Sequence, residues 1–126
     1  MYFKDNKHKE TYEKLLKRYD PVWDVSVKSL LYIISSTDEL RPRCTKFLDE
    51  NKTFQTDKVA EFYEVLSTSA QHMIRLGADL FSGSRAISYN KAPWKAKEFS
   101  VFNIFSYLDE ENVRVCLQAI QISFLR

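Results

Sequence analysis

Only two of the 126 residues are glycine, Gly77 and Gly83. Tight turns between β-strands need residues that tolerate positive φ, and glycine does so at the least cost. Between the few helix breakers of this chain, the apolar residues recur with the spacing of about 3.6 that places side chains on one helical face. The sequence therefore predicts an all-α fold: a compact single-domain bundle of six to seven helices over residues 1–126, with one longer basic-aromatic loop.

The composition is that of a folded globular domain, with 44% hydrophobic and 29% charged residues. The length is sufficient to bury a core without disulfides or metals. Aromatic residues make up 14% of the chain, which predicts a core rich in rings. The net charge of +2 is too small to indicate nucleic-acid binding by itself.

The two cysteines, Cys44 and Cys116, are far apart and lie in no CxxC motif. We interpret them as reduced thiols, which is typical of cytoplasmic proteins. No stretch approaches the roughly 18 apolar residues of a membrane span, and the first ten residues lack the apolar core of a signal peptide. We therefore expect a soluble cytoplasmic protein with no membrane partner.

Two helices are predicted in the first third of the chain. The first runs from residue 6 to 19 with Asp5 as its N-cap, and its inward face comprises His8, Tyr12, Leu15, Leu16 and Tyr19. Asp20 followed by Pro21 predicts the start of a second helix over residues 21–36. Because this helix is apolar on more than half of its circumference, we place it at the centre, with Leu31 and Ile34 in the core.

Three further helices are predicted before residue 83. A short third helix begins near Thr37 or Asp38, and a fourth begins with Thr56 or Asp57 as its cap. Ser67 interrupts the pattern as a new N-cap, so that a fifth helix covers residues 68–82. Gly77 lies inside the apolar stripe of that helix, which predicts close approach of another helix.

Two helices are predicted after the loop. A short one covers residues 100–107, and a last, central one covers 109–125 with acids at its start. The predicted face of the last helix is Val113, Leu117, Ile120 and Phe124, flanked by Cys116, Ala119 and Ile122.

Residues 84–98 depart from the helical pattern and form the main functional candidate. Loops longer than about 12 residues are uncommon in compact domains and are often functional. This segment combines cations with tyrosine and tryptophan, a mixture enriched in protein-binding hot spots and also found where proteins stack on bases. A structural alternative is that the tryptophan folds back onto the core while the cations stay solvated. The candidate partner-binding residues are Arg85, Tyr89, Lys91, Trp94, Lys95 and Lys97.

No motif in the chain reaches a catalytic or cofactor signature. The serines lack the Gly-x-Ser-x-Gly turn, and no glycine-rich phosphate loop is present. His8 and His72 lie in no metal-ligand pattern, so we predict no metal, no cofactor and no catalytic residue. A second basic cluster, Arg41, Arg43 and Lys46, is bracketed by acids, which favours local ion pairing.

Two blocks of the sequence carry a family resemblance. One is Leu66-Ser67-Thr68-Ser69 leading into residues 73–76 and 79–83, and the other is residues 106–112 followed by an apolar helix. Together they resemble an uncharacterised family of short helical proteins from Gram-positive bacteria, their phages and their mobile elements. The resemblance implies a small accessory protein encoded in a prophage or genomic island, and it implies no activity.

These observations favour a non-enzymatic, protein-binding accessory or regulatory protein that inhibits or modulates a host protein complex. The alternative is a small nucleic-acid-binding protein that uses the 84–98 loop together with the lysines of the first helix. The wide apolar helix faces also allow a homodimer. An enzyme or a small-ligand binder would need a concave pocket with convergent polar groups, for which the sequence offers no sign.

Overall fold

The computed structural model describes residues 1–22, 24–82 and 100–125. Within these ranges the chain forms seven α-helices and one 3-10 turn, and the only strand-like pairing in them is a single bridge between Leu48 and Phe54. The elements are α1 (Asn6–Tyr19), α2 (Val25–Ile34), the 3-10 turn Arg41–Arg43, α3 (Cys44–Phe47), α4 (Thr56–Tyr63), α5 (Thr68–Ser82), α6 (Val101–Phe105) and α7 (Glu110–Phe124). The predicted all-helical bundle is confirmed, whereas the predicted basic-aromatic loop at 84–98 lies outside the described residues.

Helix α1 has the predicted bounds and the predicted cap. The Asp5 carboxylate accepts a hydrogen bond from the backbone N–H of His8 at 2.8 Å. Its buried side chains are His8, Tyr12, Leu15 and Tyr19, as predicted, and Leu16 is half-buried. The helix ends because Asp20 adopts a left-handed backbone, with φ of 43°, and donates its N–H to the Leu16 carbonyl.

The predicted start of α2 at Asp20 and Pro21 is wrong. The N-cap is Asp24, whose carboxylate accepts from the N–H of Val27 at 3.1 Å. An N-cap residue needs an extended backbone, which Asp24 has and left-handed Asp20 lacks. The helix also ends earlier than predicted, at Ile34.

Helix α2 is nevertheless central, because it packs against both α5 and α7. Seven of its ten residues are buried, and Leu31 and Ile34 are fully buried, as predicted. The close approach predicted at Gly77 is confirmed: a Cβ placed there would lie 3.0 Å from Leu30 Cδ1 and 3.6 Å from Ile33 Cδ1.

Residues 35–63 form short helices and turns that hydrogen bonds between nearby residues hold together. Thr37 Oγ1 accepts from the N–H of Leu40 at 3.1 Å, and Pro42 lies in the 3-10 turn that leads into α3. The predicted caps of α4 are wrong, because Gln55 is its N-cap and makes no side-chain capping bond. The N–H of Gln55 instead donates to the Phe47 carbonyl at 2.8 Å, so the pairing beside the Leu48–Phe54 bridge positions the chain as it enters α4.

Helix α5 begins after Ser67, as predicted, and the Ser67 hydroxyl oxygen accepts from the N–H of Ala70 at 3.2 Å. The Glu39 carboxylate in turn accepts from the N–H of Ser67 at 2.7 Å. The start of α5 is therefore stabilised both by its own cap and by a side chain 28 positions earlier.

The predicted inward face of α7 is wrong, although the predicted flanking residues Cys116 and Ala119 are buried, and the helix begins one residue later than predicted, with Asp109 as its N-cap. The Asp109 carboxylate accepts from the N–H of Asn112 at 2.9 Å. The buried side chains are Asn112, Val115, Cys116, Ala119 and Ser123, whereas the predicted Leu117 and Phe124 are 50% and 71% exposed. Small side chains let α7 approach α2 closely, and the hydroxyls of Ser29 and Ser123 form a buried hydrogen bond between them.

Candidate functional site

The six sequence-predicted partner-binding residues lie outside the described part of the chain. They are Arg85, Tyr89, Lys91, Trp94, Lys95 and Lys97. The structure does describe the helices on either side of them, α5 and α6, which pack against each other. The described residues that continue from the predicted segment therefore define the candidate site.

Helix α6 exposes large apolar side chains on its outer side. Phe102 is 84% exposed and Val101 is 68% exposed, whereas Ile104 is buried and anchors the helix to the core. Tyr107, just after the helix, is also largely exposed. Val101, Phe102 and Tyr107 are here called the α6 surface. Sequence analysis missed this surface because a helix of five residues is too short for apolar periodicity to show which side faces water.

The buried side chain of Arg75 connects α6 to the core. Arg75 on α5 donates from its guanidinium to the Tyr63 hydroxyl at 3.2 Å and to the Asn103 side-chain oxygen at 2.9 Å. Arg75 is buried, and a guanidinium removed from water must be well hydrogen-bonded to be tolerated. These bonds join α4, α5 and α6, so the orientation of α6 is coupled to the core.

His72 links the same arginine to the exposed surface. The rings of His72 and Tyr107 are stacked, with centroids 5.2 Å apart and planes at 10°. The Arg75 guanidinium contacts His72 Nδ1, and since arginine can only donate, Nδ1 is the acceptor and Nε2 carries the proton. His72 therefore holds Tyr107 in place on the α6 surface.

The second basic cluster divides between two kinds of partner. Arg41 forms an ion pair with Asp38 and donates to the Ser35 carbonyl at 2.9 Å, which confirms the predicted local pairing for this residue. Lys46 and Arg43 instead lie over the ring of Phe62, at 4.6 and 5.2 Å from its centroid. Cations held against an aromatic face in this way stabilise the α3–α4 region.

Both cysteines of the chain are free thiols and are buried. Burial raises the pKa of the Cys44 thiol to about 11 and that of Cys116 to about 12, so both cysteines remain protonated at neutral pH. Within residues 1–22, 24–82 and 100–125, no three His, Cys, Asp or Glu side chains come together as a metal-binding group. The α6 surface offers apolar area and aromatic rings, and the Asn103 side-chain amide beside it is held by Arg75.

The fold and the α6 surface define an all-helical domain that carries an exposed apolar patch. A family model described as a family of unknown function, DUF6075, matches residues 1–126, and the chain belongs to this family. No curated protein and no solved structure matches the chain. None of the helices in the described ranges has the length and apolar character needed to cross a membrane.

Proposed function

We propose that this protein is a non-enzymatic accessory or regulatory protein that binds another protein through the α6 surface together with residues 84–98. The observation that carries the proposal is the exposure of Phe102 on a helix that Arg75 and Ile104 hold in place. Large aromatic side chains dominate the binding energy of protein interfaces, and a rigid support lowers the entropy lost on binding.

The partner is a host protein complex that this chain inhibits or modulates, and the interaction takes place in the cytoplasm. The supporting arguments are the sequence resemblance to small proteins of Gram-positive bacteria, phages and mobile elements, and the two buried, protonated thiols. The aromatic and cationic residues predicted at 84–98 continue directly into α6 along the chain. Trp94 and Phe102 are eight positions apart in the sequence, and both belong to the proposed contact.

Affinity capture with matched phenylalanine variants tests this function. Wild-type protein, Phe102→Ser and Phe124→Ser are immobilised in equal amounts, and host proteins that they retain from a cell extract are quantified by mass spectrometry. Phe124 is the matched control because it is also largely exposed, at 71% against 84% for Phe102, but lies at the far end of α7. We expect Phe102→Ser to lose a host complex that wild type and Phe124→Ser retain, with no change in melting temperature. Equal capture by all three proteins would contradict the proposal.

Nucleic-acid binding is the second candidate, and the surface of α1 is the observation that favours it. Its cationic residues Lys7, Lys9, Lys14, Lys17 and Arg18 are all exposed. Glu10 and Glu13 are also exposed among them, which weakens the positive potential of this helix. A mobility-shift assay at low salt tests this function, which predicts retardation that disappears steeply as salt is added.

A further inference from the structure

The outer face of α7 carries charge only near its start, where Glu110, Glu111 and Arg114 are exposed. Residues 115–125 include no acidic or basic side chain. Leu117 and Phe124 are seven positions apart and so lie within about 20° of each other around the helix, where they form an exposed ridge. Gln121 lies between them along the same face.

A groove adjoins this ridge. It has a volume of about 480 Å³, and its lining residues include Met1, Val25, Ile122 and Leu125. The one charged side chain among its lining residues is Lys28, whose ammonium group donates to the Val22 carbonyl at 3.2 Å and is thereby engaged by the backbone. This part of the surface thus combines an apolar ridge with a groove lined by apolar residues together with Lys28, Gln118 and Gln121.

The absence of acidic and basic side chains from residues 115–125 agrees with a contact between two copies of this patch. In a twofold-symmetric contact the same patch meets itself, so charged residues near the axis would face their own copies and repel. A ridge beside a groove is self-complementary, because each copy can place its ridge in the groove of the other. Met1, Leu117, Phe124 and Leu125 are each at least half exposed. At about 200 Å² for a large side chain, they provide several hundred Å² per copy, approaching the roughly 800 Å² per partner of a standard interface.

We propose that this face is a homodimer interface in which the α7 helices of two copies pack across a twofold axis near Gln121. This interface is separate from the α6 surface, so it goes beyond the proposed function. It assigns a second copy of the chain, rather than an unrelated protein, to the apolar face of α7.

Sedimentation equilibrium over a concentration series tests the dimer. Wild type and Phe102→Ser should show the same monomer–dimer equilibrium, whereas Phe124→Ser should raise the dissociation constant about tenfold or more. Circular dichroism checks that all three proteins are folded, as expected for substitutions of exposed side chains. A wild type that stays monomeric throughout the series would overturn the proposal, and so would a Phe124→Ser variant that associates as wild type does.

Opposite charges at Gln121 test the position of the axis. Gln121→Glu and Gln121→Lys should each weaken self-association, since like charges then meet across the axis. An equimolar mixture of the two variants should associate more strongly than either variant alone. If the mixture associates no better than its components, the proposed arrangement of the α7 helices is wrong.

Discussion

His8 shows how one buried side chain attaches the N-terminal segment to the core. Its Nε2 donates to the Tyr32 carbonyl at 2.9 Å, and its Nδ1 accepts from the backbone N–H of Lys4 at 3.1 Å. The ring also packs against the rings of Phe3 and Tyr32. This arrangement requires neutral imidazole, because a proton on Nδ1 would oppose the N–H of Lys4. Burial accordingly lowers the pKa of His8 to about 4.

Stability is therefore expected to fall as the pH drops from 6.5 towards 4. The unfolded chain takes up a proton on His8 near its ordinary pKa of 6.5, whereas the folded protein does so only near 4. The contribution of neutral His8 to the unfolding free energy is fully present above pH 6.5. Acidification from pH 6.5 to below 4 removes it, which lowers the unfolding free energy by roughly 3 kcal/mol. Urea unfolding of wild type and His8→Gln between pH 4 and pH 7 measures this pH dependence of the unfolding free energy. The difference in unfolding free energy between the two proteins should shrink as the pH falls, and a constant difference would contradict the assignment.

Helix boundaries are decided by backbone conformation as much as by residue type. Asp20 and Asp24 are both carboxylates close to the start of α2, and Asp20 has the proline that usually marks a helix start. In the structure Asp20 ends α1 with a left-handed backbone, and Asp24 caps α2. The two residues therefore require different backbone conformations, left-handed at Asp20 and extended at Asp24.

Matched substitutions separate these two roles. Asp24→Ala should reduce the unfolding free energy by about 1 kcal/mol, because the N–H of Val27 loses its acceptor. Asp20→Gly should leave it unchanged or raise it by up to about 1 kcal/mol, because glycine adopts positive φ without strain. Thermal and urea unfolding measure both effects. If Asp20→Gly proves the more destabilising of the two, Asp20 rather than Asp24 is the important cap.

Gly77 sets the distance between α5 and α2. Alanine would improve helix propensity by about 1 kcal/mol but would bring its Cβ to 3.0 Å from the fully buried Leu30, so we expect a net change near zero. Gly77→Val adds two more methyl groups against Leu30 and Ile33 and should cost about 2 to 3 kcal/mol. Urea unfolding of both variants measures this, with alanine as the control for backbone effects. A valine variant as stable as the alanine variant would show that the two helices can move apart.

The described part of the domain is organised around α2, which α5 and α7 cover, and two separate apolar patches lie on α6 and α7. The patch on α6 is supported by hydrogen bonds from Arg75, whereas the patch on α7 adjoins a groove. Since Phe102 and Phe124 lie in different patches, partner capture and self-association should be lost independently. A double variant, Phe102→Ser with Phe124→Ser, should lose both properties and still unfold at the wild-type temperature when both proteins are diluted to concentrations at which wild type is monomeric.

The candidate site comprises a segment that the sequence predicts and a surface that it does not. The cations and aromatic rings at 84–98 predict a binding segment, which lies outside the described residues and stays a prediction. The α6 surface could not be predicted, because a five-residue helix shows no usable periodicity. Its support could not be predicted either, since Arg75 and Asn103 are 28 positions apart and no local pattern connects them.

The sequence alone was sufficient to predict the features that depend on residues only a few positions apart. The helical class, the caps at Asp5 and Ser67, and the buried position of Leu31 all follow from capping chemistry and apolar spacing. The inward face of α7 depended instead on packing. That helix is apolar around most of its circumference, so the buried side was selected by which small side chains let it approach α2 most closely. Such a choice depends on contacts between distant parts of the chain, and these contacts exist only in the folded protein.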